Sequence, residues 1–249
     1  MNVSRRAIFK FTLAGAALLS GPWPQLSEAA EELKMPGNAP EEKFDFESKG
    51  VDGWSTVDGQ WTVEEMAGAP SGKKVLVQRA MRNEFNVIVA PVGPFTDVDV
   101  SMKFKPLSGR QDASGGIVFR FNDGKYYVVR ANALEDNFRL YYYDRGRSQL
   151  ATARVKAPAL GQWHTVRVVA LGDHIQAWLD GKLYLDHHDR RFRSGRVGLW
   201  TKADSVTAFD DLTIRGVGVG GAAAAKYVDA FMDNINWTNV ARLHQAHAR

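Results

Sequence analysis

Between residues 44 and 214 the chain is built of short runs in which apolar and polar positions alternate, each run cut off by Gly, Asp or Asn. The runs fall at 60–63, 74–78, 86–90, 97–104, 116–121, 126–131, 138–143, 163–170, 174–179, 183–186, 195–201 and 206–214. A period of two puts alternate side chains on opposite faces of a strand, so each run reads as a strand with one buried face. Many short strands at this spacing predict an antiparallel sandwich or barrel. Asp123-Gly124, Gly172-Asp173 and Asp180-Gly181 supply residues that tolerate positive φ, and each predicts a tight hairpin. No run of helical period interrupts this region, which disfavours α/β folds.

The two ends have another character. Residues 1–29 divide into a basic start (Arg5, Arg6, Lys10), an apolar stretch from Phe11 to Leu19 and a small-residue close at Ser27-Glu28-Ala29, the layout of a signal peptide. Arg5-Arg6 followed by Ile8, Phe9 and Lys10 resembles a twin-arginine export signal, which implies a periplasmic or extracellular destination. The apolar stretch is short of the ~20 residues that span a bilayer, and no later segment is long enough. Residues 30–42 read as a linker, 43–215 as the sandwich, and 216–249 as a Gly/Ala joint followed by a short helical tail with Val228, Phe231 and Ile235 on one face, a possible dock for a protein partner.

Composition narrows the chemistry. The absence of cysteine removes disulfides, thiolate metal sites and a cysteine nucleophile. The formal charge of +4 falls to +2 once residues 1–29 are set aside, too mild and too scattered for a nucleic-acid surface.

Several segments resemble a known family. Gly115-Gly116-Ile117-Val118-Phe119-Arg120, the stretch from Lys125 to Tyr142, Gly161-Gln162-Trp163-His164, Ala177-Trp178-Leu179-Asp180-Gly181, Val197-Gly198-Leu199-Trp200-Thr201 and Phe209-Asp210-Asp211-Leu212 resemble the strands of bacterial concanavalin A-like domains. The resemblance implies an all-β jelly roll of two curved antiparallel sheets, a fold shared by lectins, laminin-G modules, family 16 glycoside hydrolases and the 3-keto-disaccharide hydrolase type. Such a fold hosts binders and enzymes alike.

The catalytic pattern of the glucanases, Glu-x-Asp-x-x-Glu on one strand face, is absent. Glu64-Glu65 would point to opposite faces, and Glu135-Asp136 fall in an expected loop. A three-residue turn at Asn122-Asp123-Gly124 places Arg120 opposite Tyr126 and on the same side as Arg130, leaving Ile117, Phe119, Tyr127 and Val129 for the core. A two-residue turn would slip the register and send Arg130 to the apolar side; the first arrangement is preferred because it buries no arginine. Arg139, Tyr141 and Trp200 extend this face by alternation.

Aromatic rings stack on the apolar face of a sugar, and arginines donate to its hydroxyls or pair with carboxylate and sulfate groups. Arg120, Tyr126, Arg130, Arg139, Tyr141 and Trp200 therefore form the expected carbohydrate-binding face. An ordinary solvated sheet face accounts for the same residues equally well. Asp45, Glu47, Asp210 and Asp211, where first and last strands meet, are candidate oxygen ligands for a structural calcium ion. The histidines lack metal-ligand spacing; His187-His188 read as a solvated loop. The expectation is an exported glycan-binding protein without catalysis, with a hydrolase of sugar derivatives and a protein-interaction module as the competing classes.

Overall fold

The computed structural model describes residues 31–81 and 84–218, so the signal segment, the helical tail with His244 and His247, and the tail's docking role lie outside the described residues. Fifteen strands and no helix are found among the described residues. They are β1 Glu41–Phe44, β2 Ser55–Asp58, β3 Trp61–Glu65, β4 Lys74–Gln78, β5 Phe85–Val89, β6 Phe95–Ser108, β7 Ser114–Asn122, β8 Lys125–Asn132, β9 Glu135–Tyr143, β10 Arg147–Arg154, β11 His164–Leu171, β12 His174–Leu179, β13 Lys182–His188, β14 Arg196–Lys202 and β15 Val206–Gly218.

Every predicted run is a strand. The sequence pattern misses β1, β2 and β10, whose segments (EEKF, STVD, RSQLATAR) are polar and largely solvent-facing, so no apolar alternation marks them. The last strand continues through Gly216 to Gly218, where a glycine joint is expected. A Cβ at Gly216 would stand 2.4 Å from the Phe95 ring, so this glycine is what lets the ring pack there.

The strands form two antiparallel sheets. One runs β13-β12-β11-β6-β15-β4-β3, with β1 also paired to β15; the other runs β10-β9-β8-β7-β14-β5-β2. Between them lies the main core, fed by alternate residues: Val98, Val100, Met102 and Phe104 from β6, Ile117 and Phe119 from β7, Tyr127 and Val129 from β8, Val197 and Leu199 from β14. The two-sheet jelly roll of the concanavalin A type is thus the observed fold. Residues ahead of β1, expected to be a free linker, are tied to the outer face of the eight-stranded sheet: the Leu33 amide donates to Gln176 Oε1 at 2.8 Å and Glu32 pairs with Arg167 at 2.5 Å.

The three hairpins form where Asp-Gly and Gly-Asp predict them, with φ of +48° and +75° at Asp123 and Gly124, +59° at Gly172, and +49° and +79° at Asp180 and Gly181. At the first, Asn122 pairs with Lys125, so the turn has two residues and not the three preferred from sequence. Such a turn alone would carry Arg130 into the core. A bulge prevents this: Arg120 and Phe121 together oppose Tyr126, Phe119 pairs with Tyr127, and the phase of the strand is restored.

The residue displaced by the bulge is Arg120. Its φ is +53°, a left-handed conformation that costs a non-glycine residue about 1 kcal/mol or more. It is 2% exposed and turned between the sheets, where its guanidinium donates to the carbonyls of Phe192 (2.9 Å), Thr96 (3.0 Å) and Gly172 (2.6 Å). Burial lowers its pKa, against the attraction of Tyr127, Asp97, Asp173 and Asp189. Because Thr96 lies on β6 and Gly172 in the β11–β12 turn of the opposite sheet, the side chain staples the two layers. Gly195 backs the bulge so closely that a Cβ would lie 2.3 Å from the Arg120 carbonyl carbon.

Arg120→Met therefore leaves three carbonyls, at Thr96, Gly172 and Phe192, without their shared donor and should lower stability by about 3 kcal/mol. Urea unfolding checks this: the midpoint should fall with an unchanged slope, and a midpoint equal to the parent's would refute the staple. Gly195→Ala should destabilise as well, by forcing backbone off the bulge.

Candidate functional site

The restored phase leaves one face of the seven-stranded sheet to Tyr126, Val128 and Arg130 on β8, and to Val87, Val89, Val118, Phe121 and Trp200 on the strands beside it. On β9 the alternation from Glu135 through Asn137, Arg139, Tyr141 and Tyr143 puts five polar or aromatic side chains on this same face, while Phe138 and Leu140 enter the core.

This face is concave. Arg147 stands on β10 and Phe85 on β5, five strand spacings apart, roughly 24 Å across a flat sheet. Yet the Arg147 guanidinium lies 5.0 Å from the Phe85 ring centre, 4.4 Å from Tyr141 and 6.0 Å from Trp200. Phe85 also meets Tyr143 at 5.8 Å and Trp200 at 5.6 Å. The sheet curls until its two flanks touch over the floor. Trp200 and Tyr126 are accordingly buried, at 0% and 4% exposure. Burial pushes the Tyr126 hydroxyl well above the usual tyrosine pKa, so it stays protonated. On one side of the bridge a cleft of about 530 Å³ opens among Val57, Asp58, Phe85, Phe121, Tyr126 and Tyr143.

A polar knot also occupies the face. Arg130, 2% exposed, donates to Asn137 Oδ1 at 2.8 Å, to Glu135 Oε2 at 2.8 Å and to the Tyr141 hydroxyl at 3.3 Å. Arg139 donates to the same hydroxyl at 3.2 Å and lies 3.7 Å from Glu135. Asn137 Nδ2 completes the clamp on Glu135 at 2.9 Å. Burial pushes the Glu135 carboxyl up, but the hydrogen bonds from Asn137 and Arg130 and the charges of Arg130 and Arg139 outweigh it, and its pKa settles below the ordinary value. A second acid, Asp112, is raised by burial, with Lys202 Nζ at 3.7 Å and the Ser205 hydroxyl donating at 3.2 Å.

Of the six residues expected on this face, Tyr126, Arg130, Arg139, Tyr141 and Trp200 share it and Arg120 does not, because the bulge turns it inward. Sequence reading also misses Glu135 and Asn137, since β9 begins at Glu135, where a loop is expected. The signal was present: five consecutive odd positions, 135 to 143, carry polar or aromatic residues. Phe85 and Arg147 were not legible, because they reach the site only through the curl of the sheet.

The four acids expected to hold calcium are each engaged by donors of the protein itself. Asp210, fully buried, accepts from the Ser71 amide (2.9 Å) and hydroxyl (2.7 Å) and from the Asp211 amide (2.8 Å). Glu47 accepts the amides of Lys73 and Lys74 at 2.7 and 2.5 Å, Asp45 accepts the Glu47 amide at 3.1 Å, and Asp211 pairs with Lys103 at 2.7 Å.

Comparison with known proteins adds to this geometry. The family model of the 3-keto-alpha-glucoside-1,2-lyase-like domain matches residues 42–215. A levanase of Bacillus subtilis is 26% identical over 168 residues, which make up 65% of this chain and 22% of that protein, so the chain spans about a fifth of the relative's length. Among solved structures, the carbohydrate-binding module CBM66 from Bacillus subtilis superposes with a TM-score of 0.57 at 21% identity, covering 66% of this chain and 96% of the module. A Bacillus subtilis protein of unknown function with a galectin-like fold follows at 0.55 and 12% identity, covering 70% and 94%. These likenesses concern the fold.

The clamp on Glu135 has a pH signature. A carboxylate with a depressed folded-state pKa adds stability that is present above its unfolded pKa and is lost as pH falls through the folded one. Glu135→Gln should therefore cost about 1 kcal/mol at pH 7, discounted because the side chain is 37% exposed. The difference from the parent should shrink below the ordinary glutamate pKa. Denaturation at pH 7 and at pH 3 measures it, and an equal gap at both would contradict the clamp.

Proposed function

The chain belongs to the 3-keto-alpha-glucoside-1,2-lyase-like domain family, and from that membership we propose that it is an exported glycan-binding protein whose concave seven-stranded face receives the sugar. The observation that carries this reading is the polar knot of Arg130, Glu135, Asn137 and Arg139 set beside the aromatic floor of Tyr126, Tyr141, Tyr143 and Trp200. Glu135 accepts and Arg139 donates, both are part-exposed, and Arg130 and Asn137 hold them in place. A vicinal diol needs this pairing of a fixed acceptor with a fixed donor, next to a ring on which its C–H face can rest. Arg139 and Arg147 together outweigh the one part-exposed carboxylate of the knot, which favours a sugar bearing an anionic group. The likeness to the carbohydrate-binding module CBM66 supports carbohydrate binding, and that to the levanase suggests a fructan among the first probes. Export rests on the signal-like layout of residues 1–29.

A second reading is chemistry on a sugar derivative at the same face. The observation in its favour is that Glu135 and Asp112 bring carboxylates to that side, with shifts in opposite directions. The depressed Glu135 suits an acceptor or weak base and not a general acid, and Asp112 is buried. Binding is thus the better-supported function.

Affinity electrophoresis and calorimetry against levan, neutral β-glucans and uronate-containing glycans test the proposal. Arg139→Ala should weaken binding at least about tenfold with an unchanged far-UV spectrum. Equal retention of the parent and Arg139→Ala on every glycan would overturn the proposed face. Turnover of a 3-keto-glucoside that is lost in Glu135→Gln would instead select the enzyme reading.

A further inference from the structure

On the outer face of the eight-stranded sheet, the β12–β13 hairpin joins residues that are far apart in sequence. His174 pairs directly with His188, and Gln176 with Asp186. Ile175, Ala177 and Leu185 enter the core, so His174, Gln176, Asp186 and His188 all point outward. One donor atom from each of His174, Asp186 and His188 lies within 4.8 Å of the others, the only such group of three among the described residues. His174 Nε2 is 2.6 Å from Asp186 Oδ1, and the two imidazoles are stacked with centres 4.1 Å apart.

A second layer orients these groups. Gln176, with no exposed surface, donates to Asp186 Oδ2 at 2.8 Å and is itself fixed by the Leu33 amide. The other carboxylate oxygen is thereby turned to the histidines. Asp173, held by Arg190 at 2.6 Å, lies 3.3 Å from His188 Nδ1 and leaves His188 Nε2 as the free donor. A carboxylate behind a ligating histidine and an amide behind a ligating carboxylate are the supports that a metal site requires.

We propose that His174, Asp186 and His188 form a surface site for a divalent transition ion of the zinc or copper(II) class, separate from the sugar face. Two imidazoles and one carboxylate match the preference of those ions, whereas calcium and magnesium take all-oxygen sets. Bonds of about 2.0–2.2 Å require donor atoms roughly 3–3.5 Å apart. The present spacing reaches that by a small turn of the His188 ring, whose side chain is 62% exposed. The ion would replace the direct contact between His174 and Asp186. The remaining coordination positions face solvent, which suits either bound water or a donor from another molecule.

Calorimetric titration of the untagged full-length protein with zinc chloride at pH 7.5 is the test. One saturable site per chain is expected. His174→Ala and His188→Ala should each weaken it at least about tenfold, as should Gln176→Ala by loss of the support behind Asp186. The double variant His244→Ala/His247→Ala should bind as the parent does. His188 carries no core contact, so its replacement keeps the fold, which far-UV dichroism verifies. Absence of stoichiometric binding by the parent, binding undiminished in both single histidine variants, or loss of binding in the tail variant would each overturn the proposal.

Discussion

The phase of one strand decides what the concave face is made of. An Asp-Gly turn of two residues closes the β7–β8 hairpin, and taken alone it would set Val128 and Arg130 against the core. The bulge at Arg120 and Phe121 shifts the phase back, so Ile117, Phe119, Tyr127 and Val129 fill the space between the sheets. The consequence is an arginine enclosed within the sandwich. Its cost is offset because the guanidinium finds three carbonyl acceptors, on β6, in the β11–β12 turn and in the loop before β14, and because Asp189, which also accepts from Tyr127, belongs to the charges around it. The same network pushes the Tyr127 hydroxyl up to about 12, chiefly by burial and by the hydrogen bond to Asp189. The concave face, the inter-sheet staple and the glycine at 195 are thus parts of one solution to a register problem.

The sequence shows the fold wherever burial acts on alternate residues. The β4 and β12 strands match their predicted spans to the residue; Ser71-Gly72 precedes the first, and Gly172-Asp173 and Asp180-Gly181 bound the second. It hides β10 and β2, where an edge position removes the need for apolar side chains, and it hides the bulge, because counting from a turn assumes an uninterrupted ladder. The rule that arginine avoids burial pointed the wrong way at Arg120 and led to the right side for Arg130. It gave a correct face through an incorrect turn.

For the site, period-two reading recovers the residues that share a strand and fails for those brought together by curvature. Tyr126, Arg130, Arg139 and Tyr141 follow from alternation on neighbouring strands. Phe85 and Arg147 do not, since four strands lie between theirs in the sheet and only the curl closes the distance. That closure also sets how much of the face a ligand can reach. Where Phe85, Tyr143 and Arg147 meet, Trp200 has no exposed surface, and a sugar can rest on the bridge or beside it but not on the indole. Trp200 therefore supports the groove from beneath, and only the part-exposed residues around it are open to contact from outside.

The electrostatics of the face argue for binding over acid catalysis for the same reason that they make it rigid. A general acid at neutral pH needs a raised pKa, a carboxyl desolvated and short of positive partners. Glu135 has the opposite surroundings: two guanidinium groups and a side-chain amide converge on it, and they outweigh its burial. Those partners fix the carboxylate as a charged acceptor and align Arg139 through the shared Tyr141 hydroxyl. Asp112 has the raised pKa an acid needs, but burial confers it, and the same burial withdraws the group from a substrate. Pre-organisation of the acceptor and reactivity of the acid are alternatives here, and this face is built for the first.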